Sequence, residues 1–413
     1  MSVDIRMAWR NIWRNPRRTL LTIAAITFAS LLLVFMLSFQ FGSYEAMINA
    51  AVKIQTGHLK VQAEGYNEKM NIRQAVPDPD AVCNILDTIP EIDAYTSRGI
   101  GFSLISSEDR TYGAMVVGIA PVREAGVSTL RQLIREGEYL SENDTDKAIV
   151  GKLMAKNLQV GLGDELTLLG QGRDGSVAAA VVTIKGIYSS GQDEFDRSAI
   201  HIPLEYFQEV YAMRGAVHEI AVIGKSLGDV AEIKKAVASG LKPLKMKKPL
   251  ALLDWKELMP GLLQAISMDL VGGLIFWFLL IIVVAFSILN TFLMAIFERT
   301  REFGVMMAIG TSPGRLTRLL LTESMFMTAT GIATGILLGC LITGYFQVYG
   351  INLGDANELL RQYGISGRIH PKLSLLSALL GPAMVLFITF LTALYPAFKV
   401  RGLRIVEAMA YSQ

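Results

Sequence analysis

Four apolar runs decide what this chain can become: Leu20 to Phe41, Asp269 to Phe297, Leu316 to Phe346 and Leu373 to Phe398. A helix rises about 1.5 Å per residue and needs roughly 20 apolar residues to cross a hydrocarbon core. Each run is long enough, so four transmembrane helices are expected. The composition, 52% hydrophobic and 18% charged with a mean hydropathy of +0.40, is too apolar for a soluble protein of 413 residues. It is not apolar enough to lie wholly in lipid. A folded part in water must accompany the spans.

Charge placement orients the spans. Arg6, Arg10, Arg14, Arg17 and Arg18 precede the first run, Arg299, Arg301, Arg315 and Arg318 lie between the second and third, and Lys399, Arg401 and Arg404 follow the fourth. The positive-inside rule puts both termini and that loop in the cytoplasm. Arg361, Arg368 and Lys372 oppose this mildly, but an even number of crossings is needed to return the tail. The first run is longer than the apolar region of a cleaved signal peptide and ends in Phe39, Gln40, Phe41, so it is expected to stay as an anchor.

The layout expected is a cytoplasmic start (1–19), a first span (20–43), a large outside domain in two lobes (44–267) and a second span (268–297). A cytoplasmic loop (298–315), a third span (316–346), an outside loop (347–372), a fourth span (373–398) and a cytoplasmic tail (399–413) follow. The fold class is thus an α-helical membrane protein with a large α+β extracytoplasmic domain inserted between its first two helices. Within that domain Gly113 to Ile119, Glu165 to Leu169 and Ala178 to Tyr188 read as strands, and Gln171 to Gly175 as a hairpin tip. Leu204 to Met213 and Asp229 to Ser239 read as amphipathic helices.

Motifs for chemistry are missing. Gly224, Lys225, Ser226 ends like a phosphate-binding loop, but Glu219 stands where the pattern needs glycine. His58, His201, His218 and His370 form no ligand pair, and no serine sits in a nucleophile elbow. Cys83 and Cys340 are neither spaced as metal ligands nor expected to pair. A net charge of +2 without a dominant basic patch argues against a nucleic-acid binder. No catalytic residue, metal or cofactor is assigned to this chain.

The loop after the second span is more informative. Glu298, Arg299, Arg301 and Glu302 continue a helix with mixed charge, and Phe303, Met306 and Met307 recur at helical spacing. Gly310 can stop that helix, and Thr311 or Ser312 before Pro313 can start the next. The reading is either a structural turn or a methionine- and phenylalanine-bearing knob for a partner's groove. In the third span Gly331, Gly335 and Gly339 share one face and admit a close backbone, within the chain or at a subunit interface. Pro382 and Pro396 are expected to kink or end the fourth. Phe35, Met36, Phe39, Phe41 and Tyr44 crowd the outer end of the first, as interfacial anchors or as the lining of a cavity for an acyl chain.

Three segments together resemble the MacB/FtsX-like permeases of ABC transporters: Ala8 to Thr19 (AWRNIWRNPRRT), Glu298 to Gly310, and Tyr395 to Val400 with Glu407, Ala408 and Met409. Ile184 to Gly191, then Glu194, Phe195, Asp196 and Ile200 to Leu204, are similar to the lipoprotein-release (LolC/LolE-type) branch. The resemblance implies two paired permeases, the same chain or a paralogue, above a cytoplasmic ABC ATPase dimer on separate polypeptides that binds ATP and magnesium. The segment around Glu298, Arg299, Arg301, Glu302, Phe303, Met306 and Met307 would then be the coupling helix gripped by the ATPase. In the release type, a lipoprotein leaves the membrane for a periplasmic carrier. Burial of each acyl CH₂ is worth about 0.8 kcal/mol, so extraction needs an energy source. The alternatives implied are a tripartite exporter working through an adaptor and an FtsX-like regulator of a cell-wall hydrolase. The location implied is the bacterial inner membrane.

Overall fold

The computed structural model describes residues 3–244, 249–352, 354 and 368–401. Arg361, Arg404, Glu407, Ala408 and Met409, named above, lie outside them. The chain divides into two compact units, one containing the four long helices and the other the inserted segment Glu45–Ala265.

In the first unit, a short amphipathic helix, Val3–Ile12, precedes Pro16–Ala51, Pro260–Ala308, Pro313–Tyr349 and Leu375–Arg401. All four long helices carry windows apolar and long enough to cross a membrane. They outrun the spans read from hydropathy because helix geometry does not stop where apolar character does. The second is the extreme case, with 49 residues running from its proline start through the whole charged segment 298–308.

Its end follows local chemistry. Gly310 has φ +102°, its N–H donates to the Met307 carbonyl, and the Thr311 N–H donates to that of Met306, which closes the carbonyls of the last turn. Ser312 stands at the N-cap of the third helix and Pro313 at its first position, although the serine side chain makes no capping bond. The fourth helix continues past Pro382 and Pro396, so neither proline ends it.

The spans pack through small residues. A Cβ added at Gly335 would lie 2.6 Å from the Ser30 Cβ and 2.7 Å from the Thr27 carbonyl oxygen. Gly331 meets Ile26 and Gly339 meets Val34 in the same way. The glycine row therefore seats the third helix on the first. Around it Ile26, Leu33 and Leu37 join Trp277, Ile281, Phe292 and Val385 in one apolar cluster.

The second unit is built on ten strands: β1 Leu59–Ala63, β2 Ile92–Ser106, β3 Thr111–Ile119, β4 Ile134–Gly137, β5 Lys147–Gly151, β6 Glu165–Gln171, β7 Val177–Tyr188, β8 Ala199–Pro203, β9 Glu219–Gly224 and β10 Leu250–Asp254. The order β10-β1-β9-β2-β3-β8-β5-β7-β4 is joined by β6, which pairs with both β2 and β7. Following the pairs β2-β3-β8-β5-β7-β6 returns to β2, so six strands close a ring that leaves no free edge among them. Ile105, Val116, Val150, Leu166, Val182 and Ile200 belong to the core cluster of this ring. The β9-β1-β10 ladder extends from the first half of β2 as an antiparallel wing. Ring and wing are parts of one continuous sheet.

The three strands expected from sequence lie in β3, β6 and β7, and the tip between β6 and β7 is a tight turn in which the Gly172 N–H donates to the Ser176 carbonyl. The helix expected over Leu204 to Met213 stops at Val210, just before Ala212 takes φ +52°. Gly99 and Gly118 face each other across β2 and β3, and the Phe207 ring lies where their side chains would be, 2.3 and 2.4 Å from an added Cβ.

Candidate functional site

The charged segment at the end of the second helix is tied to two other elements of its own unit. Arg14 donates to both carboxylate oxygens of Glu302, at 3.1 and 2.8 Å, and Arg18 pairs with Glu298 at 2.7 Å. Arg299 reaches Glu323 of the third helix at 3.0 Å, and the Asn11 amide donates to the other oxygen of Glu323 at 2.7 Å. Hydrogen bonds from Arg14 hold the Glu302 carboxyl below the usual carboxylate range. Segment 298–308 is thus clamped from one side by Arg14 and Arg18 and from the other by Glu323, which Asn11 in turn holds.

The apolar residues of the segment turn the other way from the expected knob. Phe303 is fully buried and Met307 nearly so, packed with Ile296, Leu316 and Leu320, while Met306 is half-buried against the same cluster. The guanidinium of Arg299 lies 5.3 Å over the Phe303 ring. What faces out is Arg301, Val305 and Ile309, one turn apart along a single stripe, with Ile309 at 82% exposure. An amphipathic period fixes which residues share a face; it does not say which face meets the body. The segment has apolar residues on both faces, so the sequence alone leaves open which of them is buried.

Asn11, Arg14, Arg18 and Glu323 were not selected from sequence as parts of this site. Glu323 could have been, because a carboxylate within an otherwise apolar span needs a partner.

The aromatic group at the far end of the first helix does not converge. Phe35 stacks on Phe39 and meets Phe346 of the third helix, Phe41 packs with the Trp277 cluster, and the Tyr44 hydroxyl donates to Asp269 at 2.6 Å. Met36, like the other four, is half-buried. An apolar groove of about 560 Å³ runs instead between the second and fourth helices, lined by residues including Phe278, Ile282, Phe286, Leu380, Met384 and Phe387. None of the five lines it.

In the inserted domain the segment 184–204 makes a packed corner. The carboxylate of Asp196, itself buried, accepts from the Ser190 N–H at 2.9 Å and from the Ser190 and Ser189 hydroxyls at 2.6 and 3.2 Å. Tyr188 and His201 are buried against Phe195. These residues build scaffold and present no ligand-binding group. Beside them, Arg98 donates twice to Glu124, at 2.9 and 2.7 Å, and once to Glu219 at 3.3 Å, and Lys60 reaches Glu219 at 2.7 Å. Burial works against the charge of Glu124, and the Arg98 charge and hydrogen bonds outweigh it, so the carboxyl is held low. Among the described residues no group of three or more His, Cys, Asp or Glu is placed to hold a metal ion.

Comparison with known proteins matches both units. The model of the MacB-like periplasmic core domain covers residues 19–239, and that of the FtsX-like permease C-terminal domain covers 274–405. The lipoprotein-releasing system transmembrane protein LolC of Xylella fastidiosa is 23% identical over 317 residues, 73% of this chain and 74% of that protein. The pyoverdine export ATP-binding/permease protein PvdT of Pseudomonas aeruginosa is 24% identical over 358 residues, 82% of this chain and 51% of that protein. The macrolide export ATP-binding/permease protein MacB of Wolinella succinogenes is 20% identical over 370 residues, 84% of this chain and 54% of that protein. The chain therefore spans about half the length of these two exporters. With the first model covering more than half of the chain and the second continuing through the remaining helices, this protein belongs to the MacB/FtsX-like permease family of ABC transporters.

Proposed function

We propose that this permease passes ATP-driven closure of a separate ATPase dimer to its inserted domain, and that its cargo is a lipoprotein taken from the outer leaflet of the inner membrane. The similarity to LolC over about three-quarters of both chains carries the choice of cargo. Both termini and the coupling segment lie in the cytoplasm in this reading, and the inserted domain lies in the periplasm. A second copy or a paralogue completes the permease pair.

The coupling segment receives the ATPase on Arg301, Val305 and Ile309, the outward stripe, whereas Phe303 and Met307 transmit the push to Leu316 and Leu320. A nucleotide bound to the partner can shift the permease only through contacts that differ between its states. The clamp by Arg14, Arg18 and Glu323 offers such contacts, because its outer ion pairs are exposed enough to exchange with water. The periplasmic carrier has an exposed apolar face available on the outside of the ring, at Phe102, Leu104, Leu169, Val177 and Val181.

Photo-crosslinking residues placed at Phe39 and Phe286, in cells whose ATPase binds but cannot hydrolyse ATP, test the cargo. Acylated proteins should accumulate on the probe when hydrolysis stops. Crosslinks confined to an adaptor or to a cell-wall hydrolase would replace this reading with export or regulation; the PvdT and MacB similarities favour export as the second choice.

A further inference from the structure

The N-terminal helix carries a face that the described residues of its own unit leave about half open. Ala8 and Ile12 are buried against the body, and Asn11 is tied to Glu323. Trp9 and Trp13 are 46% and 50% exposed, with ring centroids 6.3 Å apart, and Trp9 also meets Phe326 edge-on. At 3.6 residues per turn the row Trp9–Trp13 lies directly beside the row Arg6–Arg10. Moving round the helix from the body, one meets buried aliphatics, then indoles, then guanidiniums. Arg6, Arg10 and Arg17 are exposed and take part in no ion pair among the described residues, in contrast to Arg14 and Arg18.

This sequence of faces matches the depth profile of one leaflet. Indoles favour the boundary between acyl chains and headgroups, and unpaired guanidiniums just above them meet phosphate oxygens. A docking protein would instead be expected to offer carboxylates to the arginines and leave the indoles in a dry pocket. The first apolar run begins at Leu20, seven residues after Trp13, which places the indoles beside the boundary.

We infer that the helix Val3–Ile12, with Trp13 and Arg17, is a docking surface for anionic phospholipid headgroups. Directly after this helix Arg14 and Arg18 hold the coupling segment, and from within it Asn11 holds Glu323, the partner of Arg299, so headgroup engagement fixes the position from which that segment moves. The headgroup site rests on this helix alone; only its consequence for coupling rests on the function proposed above. Each arginine near an anionic surface strengthens the attraction to it roughly five-fold.

The full-length protein in lipid nanodiscs tests it without any ATPase. Of its four tryptophans, Trp255 and Trp277 are buried, and the W9F/W13F variant measures their background. Bromine placed high on the acyl chains of phosphatidylglycerol should quench Trp9 and Trp13 more strongly than the same bromine on phosphatidylcholine at equal mole fraction. The preference should vanish in R6Q/R10Q/R17Q, all at exposed positions, and survive in R6K/R10K/R17K. Equal quenching by the two lipids in the wild-type protein overturns the inference. So does quenching by acrylamide alone, or protection that arises only when the ATPase is added, which would give the face to water or to the protein partner. None of these results bears on whether the coupling segment meets an ATPase, so the two readings fail separately.

Discussion

The two units of this permease bury charge in opposite ways. In the inserted domain, Lys60, Arg98, Glu124 and Glu219 are all nearly inaccessible and sum to zero, each within hydrogen-bond reach of an opposite charge. In the membrane unit the charges gather at the end of the second helix, where Arg14 and Glu302 keep 60% and 41% of their side chains exposed and only Arg299 and Glu323 are sealed. A sealed network has one arrangement, because breaking any pair strands a charge in low dielectric. A half-open one can trade a partner for water at little cost. In the function proposed above, rigidity in the domain and exchange at the end of the second helix are what a lever needs at its load and at its handle.

Acid should expose the difference most strongly. Burial holds His58, His201 and His218 down to about 4. His218 is locked neutral, its Nδ1 accepting from the Ile100 N–H and its Nε2 donating to the Ile72 carbonyl. A histidine whose folded pKa lies below its unfolded value of about 6.5 binds fewer protons when folded. The stability it contributes is whole above that value and is lost as the pH falls towards about 4. The depressed carboxyl of Glu124 adds a loss further down. Denaturant unfolding of the inserted domain, followed by circular dichroism of the full chain, should therefore show a midpoint that drops steeply across this window. A flat midpoint from pH 6.5 to 4 would mean that these rings are open to water.

Next in size is Arg98→Ala. It leaves Glu124 and Glu219 buried with one ammonium between them, and the domain should lose about 3–5 kcal/mol. Arg98→Met with Glu124→Gln should recover part of that loss, since an uncharged pair needs less compensation. If the single variant unfolds like the wild type, water reaches the site and the contrast with the coupling end fails.

Gly335→Ala probes the membrane unit by contact rather than charge. The added methyl meets the Ser30 Cβ at 2.6 Å and backbone at 2.7 Å, neither of which can rotate away, so overpacking of about 1–3 kcal/mol is expected. The measurement is thermal unfolding in detergent, with Gly344→Ala as control, since nothing lies within 4 Å of a Cβ there. Equal melting of the two variants would remove the third helix from the first.

The depth to which sequence could be read also differs between the units. The spans were legible because hydropathy is a one-dimensional signal, and the β6–β7 hairpin was legible because its strands flank a Gly-rich tip. The closure of the ring was not. It depends on β2 pairing with β3 and β6 at once through Ser103 to Ser106, a contact between segments some sixty residues apart that leaves no local trace. The glycine row announced a close approach, yet Ile26, Ser30 and Val34 opposite it have no sequence marker. At the coupling segment the charged residues were found and their partners were not, because Arg14 meets Glu302 across 288 positions.

The smallest effect on stability should be the most informative about the handle. Ile309 is 82% exposed and nothing packs on its outer side among the described residues, so Ile309→Ser should change unfolding by no more than about 0.5 kcal/mol, as surface substitutions do. Phe303→Ala, six residues earlier, removes a fully buried ring and should cost about 3–5 kcal/mol. If the outward stripe receives the ATPase, the first variant loses stimulation of ATP hydrolysis while its fold is untouched. The second loses both together. The pair is read best as a ratio, with ATPase stimulation and melting temperature measured on the same preparations. Should Ile309→Ser keep full stimulation, the partner grips another surface of the segment, and the exposed charges of Arg301 and Glu298 become the next to replace. Only an exposed residue can separate contact from folding, which is why the weakest perturbation in stability discriminates most about coupling.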